Sequence, residues 1–425
     1  MTVRRSASAL AAASAVLCVA GAPAVAAPAA PSPSPSPVIP SGLYGTKDPT
    51  YDGVWRQSLA LTAQRTVKTV PAEQAVDWLV GQQCANGAFA SYRPDATEPC
   101  DAKTMLDTNA TAAAVQALVA VGGHGGAVQK SLGWLKSVQN EDGGWSYNPG
   151  TPSDANSTSV VIGAFAAAEA KPGELRSKAG KNPYDALVSF AIPCTDKAGG
   201  GAFAYQPDKS GALLANGDAT AAAVLAGLGH GMVAEGPKPD GEPKCDTVAT
   251  PTPEQAARNG AAYLAEALAK AGHLDSPPMP GATDPTPLPD FGNTADAVVA
   301  LSAAGHADKA AGAMRWLEKN SASWAKEGGP AAYAQLVLAV HASGGDARDF
   351  GGVDLVKQLN ATGPAPASTT GPDASLREGT DSGSAAEGQM GGDSAGIWWI
   401  VGAGLAAGAG IGFVISTRRK QTKQS

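Results

Sequence analysis

The chain has 425 residues, of which 44% are hydrophobic and 5% aromatic, and 31 basic against 38 acidic side chains leave a net charge of −7. That is enough apolar material for one large core with flanking segments. It excludes the basic stripe on which a nucleic-acid partner depends.

Residues 1–26 carry Arg4 and Arg5, an apolar Ala/Val/Leu run and the small-residue site Ala24-Val25-Ala26. This is the pattern of a secretory signal, removed from the mature protein. Residues 27–41 alternate Pro and Ser from Pro31 to Pro37 and predict an extended linker. The folded part is expected over 42–360. Val54, Trp55, Leu59 and Leu61 have helical spacing up to about Val67, and a second helix is predicted from Pro71 to Gln83. The clearest unit runs from Asp107 to Tyr147. A polar start at Asp107 and Asn109 leads into Val115, Leu118 and Val119, and Gly122-Gly123-His124 stops that helix. A second helix from about Ala127 carries Leu132, Trp134, Leu135 and Val138. The Asn or Asp suits an N-cap and the Gly pair a C-terminal stop.

The unit recurs. Asn293 to Leu301 leads through His306 to Trp316, with the same spacing that separates His124 from Trp134. Other copies start at Asp154-Ala-Asn156 and at Gly217-Asp218, and a last one runs from Ala331 to His341. Further helices are predicted over Tyr184–Ile192, Ala219–Val233, Glu254–Ala271 and Val353–Leu359. Self-similarity at this scale marks a repeat architecture of about twelve helices in six pairs. One series, starting near Asp52, Asn109, Asn156, Asp218, Asn293 and Pro330, is small-chained and Ala-rich, as an inner layer must be. The alternate series carries Trp, Lys, Arg and Glu, as an amphipathic outer layer should. Closing the stack into a ring buries both of its ends without capping repeats. The fold class expected is therefore all-α, an α6/α6 toroid.

Residues 361–394 are rich in Gly, Ser, Ala and acid and predict a disordered tether. Residues 395–416 lack charge and are long enough to span a bilayer, with Trp398 and Trp399 at the outer end. Arg418, Arg419, Lys420 and Lys423 in the tail, residues 417–425, set the C-terminus inside. An exported toroid, held on a membrane by a single C-terminal span, is the localisation expected. With Cys18 in the signal, Cys84, Cys100, Cys194 and Cys245 remain, an even number in an exported chain. Of the possible connectivities, Cys84–Cys100 and Cys194–Cys245 are favoured, because each pair brackets one long inter-helix loop. No CxxC occurs and the histidines lie away from the cysteines, so no metal site is expected.

Gln139-x-x-x-Gly143-x-Trp145 is similar to the QW motif of the terpene cyclases and protein prenyltransferases, the prenyltransferase/squalene oxidase repeat. Gln83-x-x-x-Gly87-x-Phe89 is a near match. The resemblance implies an α/α toroid and a structural role for these six residues, tying one outer helix to its neighbour. It does not carry chemistry across. No DxDD acid motif occurs, a prenyltransferase zinc site has no match, and the inner series offers few aromatics to steady a cation. Asp107-Thr108-Asn109-Ala110-Thr111-Ala112 also resembles the inner-helix starts of the animal cobalamin carriers, transcobalamin and intrinsic factor. That resemblance implies a receptacle, here without the carriers' second, β-rich domain.

Parallel inner helices would gather Asp107, Asn109, Asp154, Asn156, Asp218 and Asn293 at one mouth of the ring. Each is also an N-cap candidate. Helix N-termini there favour amide-rich or anionic ligands, while Asp107, Asp154, Asp218 and Asp296 oppose a strongly anionic one. His124, His230, His306 and His341 fall at the opposite ends. No catalytic residue and no cofactor is assigned, with cobalamin expected only as a bound ligand. The function expected is non-catalytic binding of a large polar metabolite, a corrinoid for uptake, passed to a membrane transporter or surface protein. The alternatives are a terpene-cyclase-like, prenyltransferase-like or carboxylate-dependent enzyme, and a cell-surface interaction module.

Overall fold

Alanine-rich segments leave little side chain to hold two backbones apart, and six of them form the inner wall of the protein. A computed structural model describes residues 38–236, 241–276 and 286–369. In it α1 (Gly53–Thr66), α3 (Thr108–Val121), α5 (Ala155–Ala167), α7 (Gly217–Gly227), α9 (Phe291–Ala303) and α12 (Pro330–Ala342) pack each on the next, and α12 returns to α1. Around them lie α2 (Glu73–Gly81), α4 (Gly125–Ser137), α6 (Pro183–Ser189), α8 (Pro253–Ala271), α10 (Ala307–Asn320) and α13 (Leu355–Asn360). A short extra helix, α11 (Ala322–Gly328), brings the described total to thirteen rather than the expected twelve. Burial follows the layers: α3 is buried on nearly every face, whereas α10 buries only Ala310, Ala313 and Leu317. The segments expected to be a signal, a transmembrane span and a basic tail, and most of the expected linker and tether, lie outside the described residues. Among those described, no helix is long and apolar enough to cross a membrane.

One joint recurs at the start of the inner helices. Asp107, Asp154, Asn216 and Asp290 are the N-caps, each accepting a backbone N–H three residues on. Four residues after each cap stands a buried threonine: Thr111, Thr158, Thr220 or Thr294. Its hydroxyl accepts the backbone N–H of Phe89, Trp145, Phe203 or Leu274, at 2.9–3.0 Å. The loop leaving one outer helix is thereby pinned to the next inner helix. Short hairpins carry three of these loops into their caps. They are β2 (Phe89–Ala90) with β3 (Leu106–Asp107), β4 (Phe203–Pro207) with β5 (Leu213–Asn216), and β6 (Leu274–Ser276) with β7 (Leu288–Asp290).

The two QW-type glutamines make different contacts, Gln83 with the next outer helix and Gln139 within its own loop. Gln83 Nε2 donates to Ala127 O and Ser131 Oγ, both at 2.9 Å, joining the exit of α2 to α4. Gln139 Nε2 donates to Gly143 O at 2.7 Å. Gly87 and Gly143 have φ of +93° and +95°, and a Cβ on either would overlap the carbonyl of Lys130 or Asn182 in the next outer layer. Phe89 and Trp145 are buried at 0 and 1% exposure.

The fold reaches further than 42–360. Tyr44 is fully buried, its hydroxyl donating to Pro364 O, and Gly45 N donates to Thr362 O. β1 (Thr69–Val70) pairs with β8 (Ser368–Thr369). The start of the expected tether is thus a clasp between the first and last repeats. Helix α7 ends at Gly227, six residues before the expected Val233. The chain after it crosses the C-terminal ends of the inner helices. Met232 N donates to Gln116 Oε1 at 2.8 Å, Gly231 abuts Gly163, Glu235 pairs with His341 at 2.9 Å, and Gly236 lies on the Ser302 carbonyl.

Both favoured disulfides are formed, Cys84–Cys100 and Cys194–Cys245, across 16 and 51 residues. Loop entropy gives them about 3 and about 4 kcal/mol. Reduction should therefore lower the urea midpoint markedly, more for Cys194→Ser/Cys245→Ser than for Cys84→Ser/Cys100→Ser. Equal midpoints with and without reductant would remove that contribution.

Candidate functional site

With the caps placed, the residues at the N-terminal mouth take different roles from those expected. Asp107 and Asp154 are buried and committed to their caps. Asp107 also accepts from Ser91 Oγ at 2.7 Å, and the Tyr205 hydroxyl donates to Asp154. Asn109, Asn156 and Asp218 are not N-caps, since each stands two residues after one. Asn293 is not a cap either; its Nδ2 donates to the cap Asp290 at 2.9 Å.

What meets between neighbouring inner helices is a pair of carboxyl–amide contacts. Asn156 Nδ2 on α5 donates to Asp218 Oδ2 on α7 at 2.5 Å. Gln335 Nε2 on α12 donates to Asp296 Oδ2 on α9 at 3.1 Å. In each contact the two positions are equally far along their helices, so neighbouring inner helices run in the same direction. Asn109 Oδ1 and Asn156 Oδ1 are buried without a protein hydrogen-bond partner among the described residues.

Electrostatics set these carboxyls apart. Burial pushes Asp218 up to about 7, with Asp290 and Asp154 adding to the rise against the Asn156 hydrogen bond. Burial, then the charges of Asp218 and Asp290, push Asp296 up to about 8. Burial also raises Asp154 to about 6. Asp218 and Asp296 keep some accessible surface although protein atoms crowd them closely. A recess too narrow to hydrate a carboxylate fully reconciles the two, and favours the protonated form.

Aromatic rings adjoin this pair. Phe291, the first residue of α9, stacks on Trp316 at 4.8 Å and on Trp324 at 5.6 Å between centroids, and His273 lies 4.5 Å from Trp316. Gly292 abuts both the Gln335 amide and Trp324. Of these rings only Phe291 stands on an inner helix; Trp316 and Trp324 come from α10 and α11. Gln335, Asp290 and this stack were not among the expected site residues. Asp290 was legible in principle, because Asp290-x-x-x-Thr294 repeats the spacing of Asp107-x-x-x-Thr111 and Asp154-x-x-x-Thr158. Among the described residues, no cluster of His, Cys, Asp and Glu is arranged to hold a metal.

The chain is weakly similar to a terpene synthase. Drimenyl diphosphate synthase from Streptomyces showdoensis is 30% identical over 181 residues, 40% of this chain and 30% of that protein. The chain thus matches less than a third of that relative's own length. No family model matches the chain. A solved protein from Actinoplanes is 18% identical and superposes with a TM-score of 0.43, covering 71% of this chain and 80% of that one. The sequence match agrees with a terpenoid-cyclase-like helical fold, whereas nothing found supports the likeness to cobalamin carriers.

Proposed function

We propose that the protein is a terpenoid-cyclase-like enzyme whose N-terminal mouth delivers a proton to a carbon–carbon double bond of an acyclic isoprenoid. The observation that carries this reading is the presence, on two neighbouring inner helices, of Asp218 and Asp296, both pushed into the neutral range. A carboxylic acid kept protonated near neutral pH is the group such a step requires. Transfer of its proton forms a C–H bond and leaves a carbocation, which a neighbouring double bond attacks; loss of a proton closes the cycle. Phe291, Trp316 and Trp324 would offer π faces to the cation. The DxDD motif is absent because the acids come from α7 and α9 rather than from one segment. The sequence similarity to a diphosphate-forming terpene synthase supports the substrate class. The disulfides fit an oxidising compartment outside the cytoplasm.

The test is turnover of a panel of acyclic isoprenoid alcohols, diphosphates and hydrocarbons in deuterium oxide. Cyclised product carrying one new deuterium is expected, falling by about 100-fold or more in Asp218→Asn/Asp296→Asn. A product-free panel sinks the reading. Retention of a ligand without turnover is the second reading, favoured by the segment 230–236 that blocks the other end of the ring. A ligand co-purifying unchanged would select it.

A further inference from the structure

Among the described residues, five large apolar side chains are more than half exposed. They are Val38, where the described chain begins, and Tyr51, Met105, Leu214 and Leu288, at 86, 74, 65 and 56%. The last four share one address. Tyr51 immediately precedes Asp52, the residue before α1. Met105, Leu214 and Leu288 each stand two residues before the caps of α3, α7 and α9. The inner helices run in one direction, so these four residues lie on loops around one end of the ring, the end that holds Asp218 and Asp296. Single exposed hydrophobics are ordinary on a protein surface. Recurrence at the same turn of four repeats is not, and it needs a partner that takes up apolar tips.

We infer that this end of the ring docks on a lipid bilayer, with Tyr51, Met105, Leu214 and Leu288 entering the boundary between headgroups and acyl chains. Separate tips set around a mouth suit a soft, continuous interface better than a shaped protein pocket. Exposed Lys47, Lys103 and Lys209 stand on the same loops, placed to meet anionic headgroups. The neighbouring carboxylates Asp48, Asp101 and Asp208, kept ionised by hydrogen bonds from their own loops, make these loops mixed in charge, as suits headgroups that carry both signs. Chain length permits the contact. Residues 370–394 separate the last described residue from the uncharged run at 395–415. A coil of that length would span about 25–30 Å on average, against about 21 Å for the length of an inner helix. A bilayer-spanning tail therefore leaves either end of the ring free to meet the surface, and the apolar rim decides which does. The docking does not depend on the proton-transfer reading, though an isoprenoid dissolved in the bilayer would then enter the mouth without crossing water.

The full-length protein, reconstituted in liposomes containing anionic lipid, tests this with single nitroxide labels. Labels go at Met105→Cys, Leu214→Cys and Leu288→Cys, and at Lys171→Cys beyond the C-terminal end of α5. Rim labels should show high oxygen and low aqueous-reagent accessibility, and the Lys171 label the reverse. Aqueous accessibility at every position overturns the proposal. Rim labels shielded from both reagents also overturn it, since they would lie against protein. The rim substitutions leave Asp218 and Asp296 intact, so isoprenoid turnover by the same variants separates failure of docking from failure of the acid site.

Discussion

Trp145→Ala is expected to lose about 3–5 kcal/mol of folding stability, the usual range for emptying a fully buried aromatic site. The indole is 1% exposed, its Nε1 donates to Leu135 O at 2.7 Å, and its ring lies 6.3 Å from Phe165. Alanine leaves a cavity between α4 and α5 and takes from the Leu135 carbonyl one of its two donors, leaving only Val138 N. Two neighbours bracket its cause. Gly143→Ala forces a side chain onto a φ of +95°, about 1–2 kcal/mol for the backbone alone, and drives its Cβ into the carbonyl of Asn182, the N-cap of α6, which adds to the loss. Gln139→Ala loses one hydrogen bond within the loop, about 1 kcal/mol. Urea denaturation followed by far-UV circular dichroism measures all three. A loss under about 1 kcal/mol for Trp145→Ala would show that the joint does not carry the ring.

That joint also marks how far the sequence could be read. Periodicity, glycine stops and the repeated Gln/Gly/aromatic loop are local signals, and they located both helical layers and the two disulfides. The register of the caps was harder. In Asp107-Thr108-Asn109 and Asp154-Ala155-Asn156 two residues of equal capping ability stand two apart. Only the backbone decides that the first of them caps while Asn109 and Asn156 fall in the first turn of the helix. Asp218 and Asp296 belong to different repeats at different depths, and no spacing in the chain announces that their charges meet. Gln335 looked like one polar residue in an apolar stretch. The segment after α7 was missed for a different reason: Ala219 to Val233 keeps a helical apolar pattern, but Gly229-His230-Gly231 lets the chain turn across the ring instead. The aromatic stack needed three elements at once, since Phe291, Trp316 and Trp324 come from α9, α10 and α11.

Stability should fall as the pH rises from about 4 to about 8. Asp154, Asp218 and Asp296 lie near 6, 7 and 8 in the folded protein, against an ordinary value of 3.8. Between the two values the folded state binds more protons than the unfolded state, so each unit rise in pH favours unfolding. The stabilisation is complete below the unfolded value and is lost as the pH passes the folded ones. Asp48, Asp101 and Asp208 act in the opposite sense, because hydrogen bonds from their own loops hold them below the ordinary carboxylate range. A maximum at about pH 4, where the two sets of carboxyls exchange roles, follows. Asparagine mimics a protonated aspartate in shape, so Asp218→Asn/Asp296→Asn should come closest to the parent at pH 4 and exceed it by a margin that grows up to pH 8.5. Water reaches both side chains and relieves part of the ionisation cost, which puts the gain at about 1–3 kcal/mol. Thermal midpoints of parent and variant, taken in steps from pH 4 to 9, give the comparison. Curves that stay parallel across that range would mean that Asp218 and Asp296 are already ionised in the neutral protein, and the mouth would then hold no acid to donate.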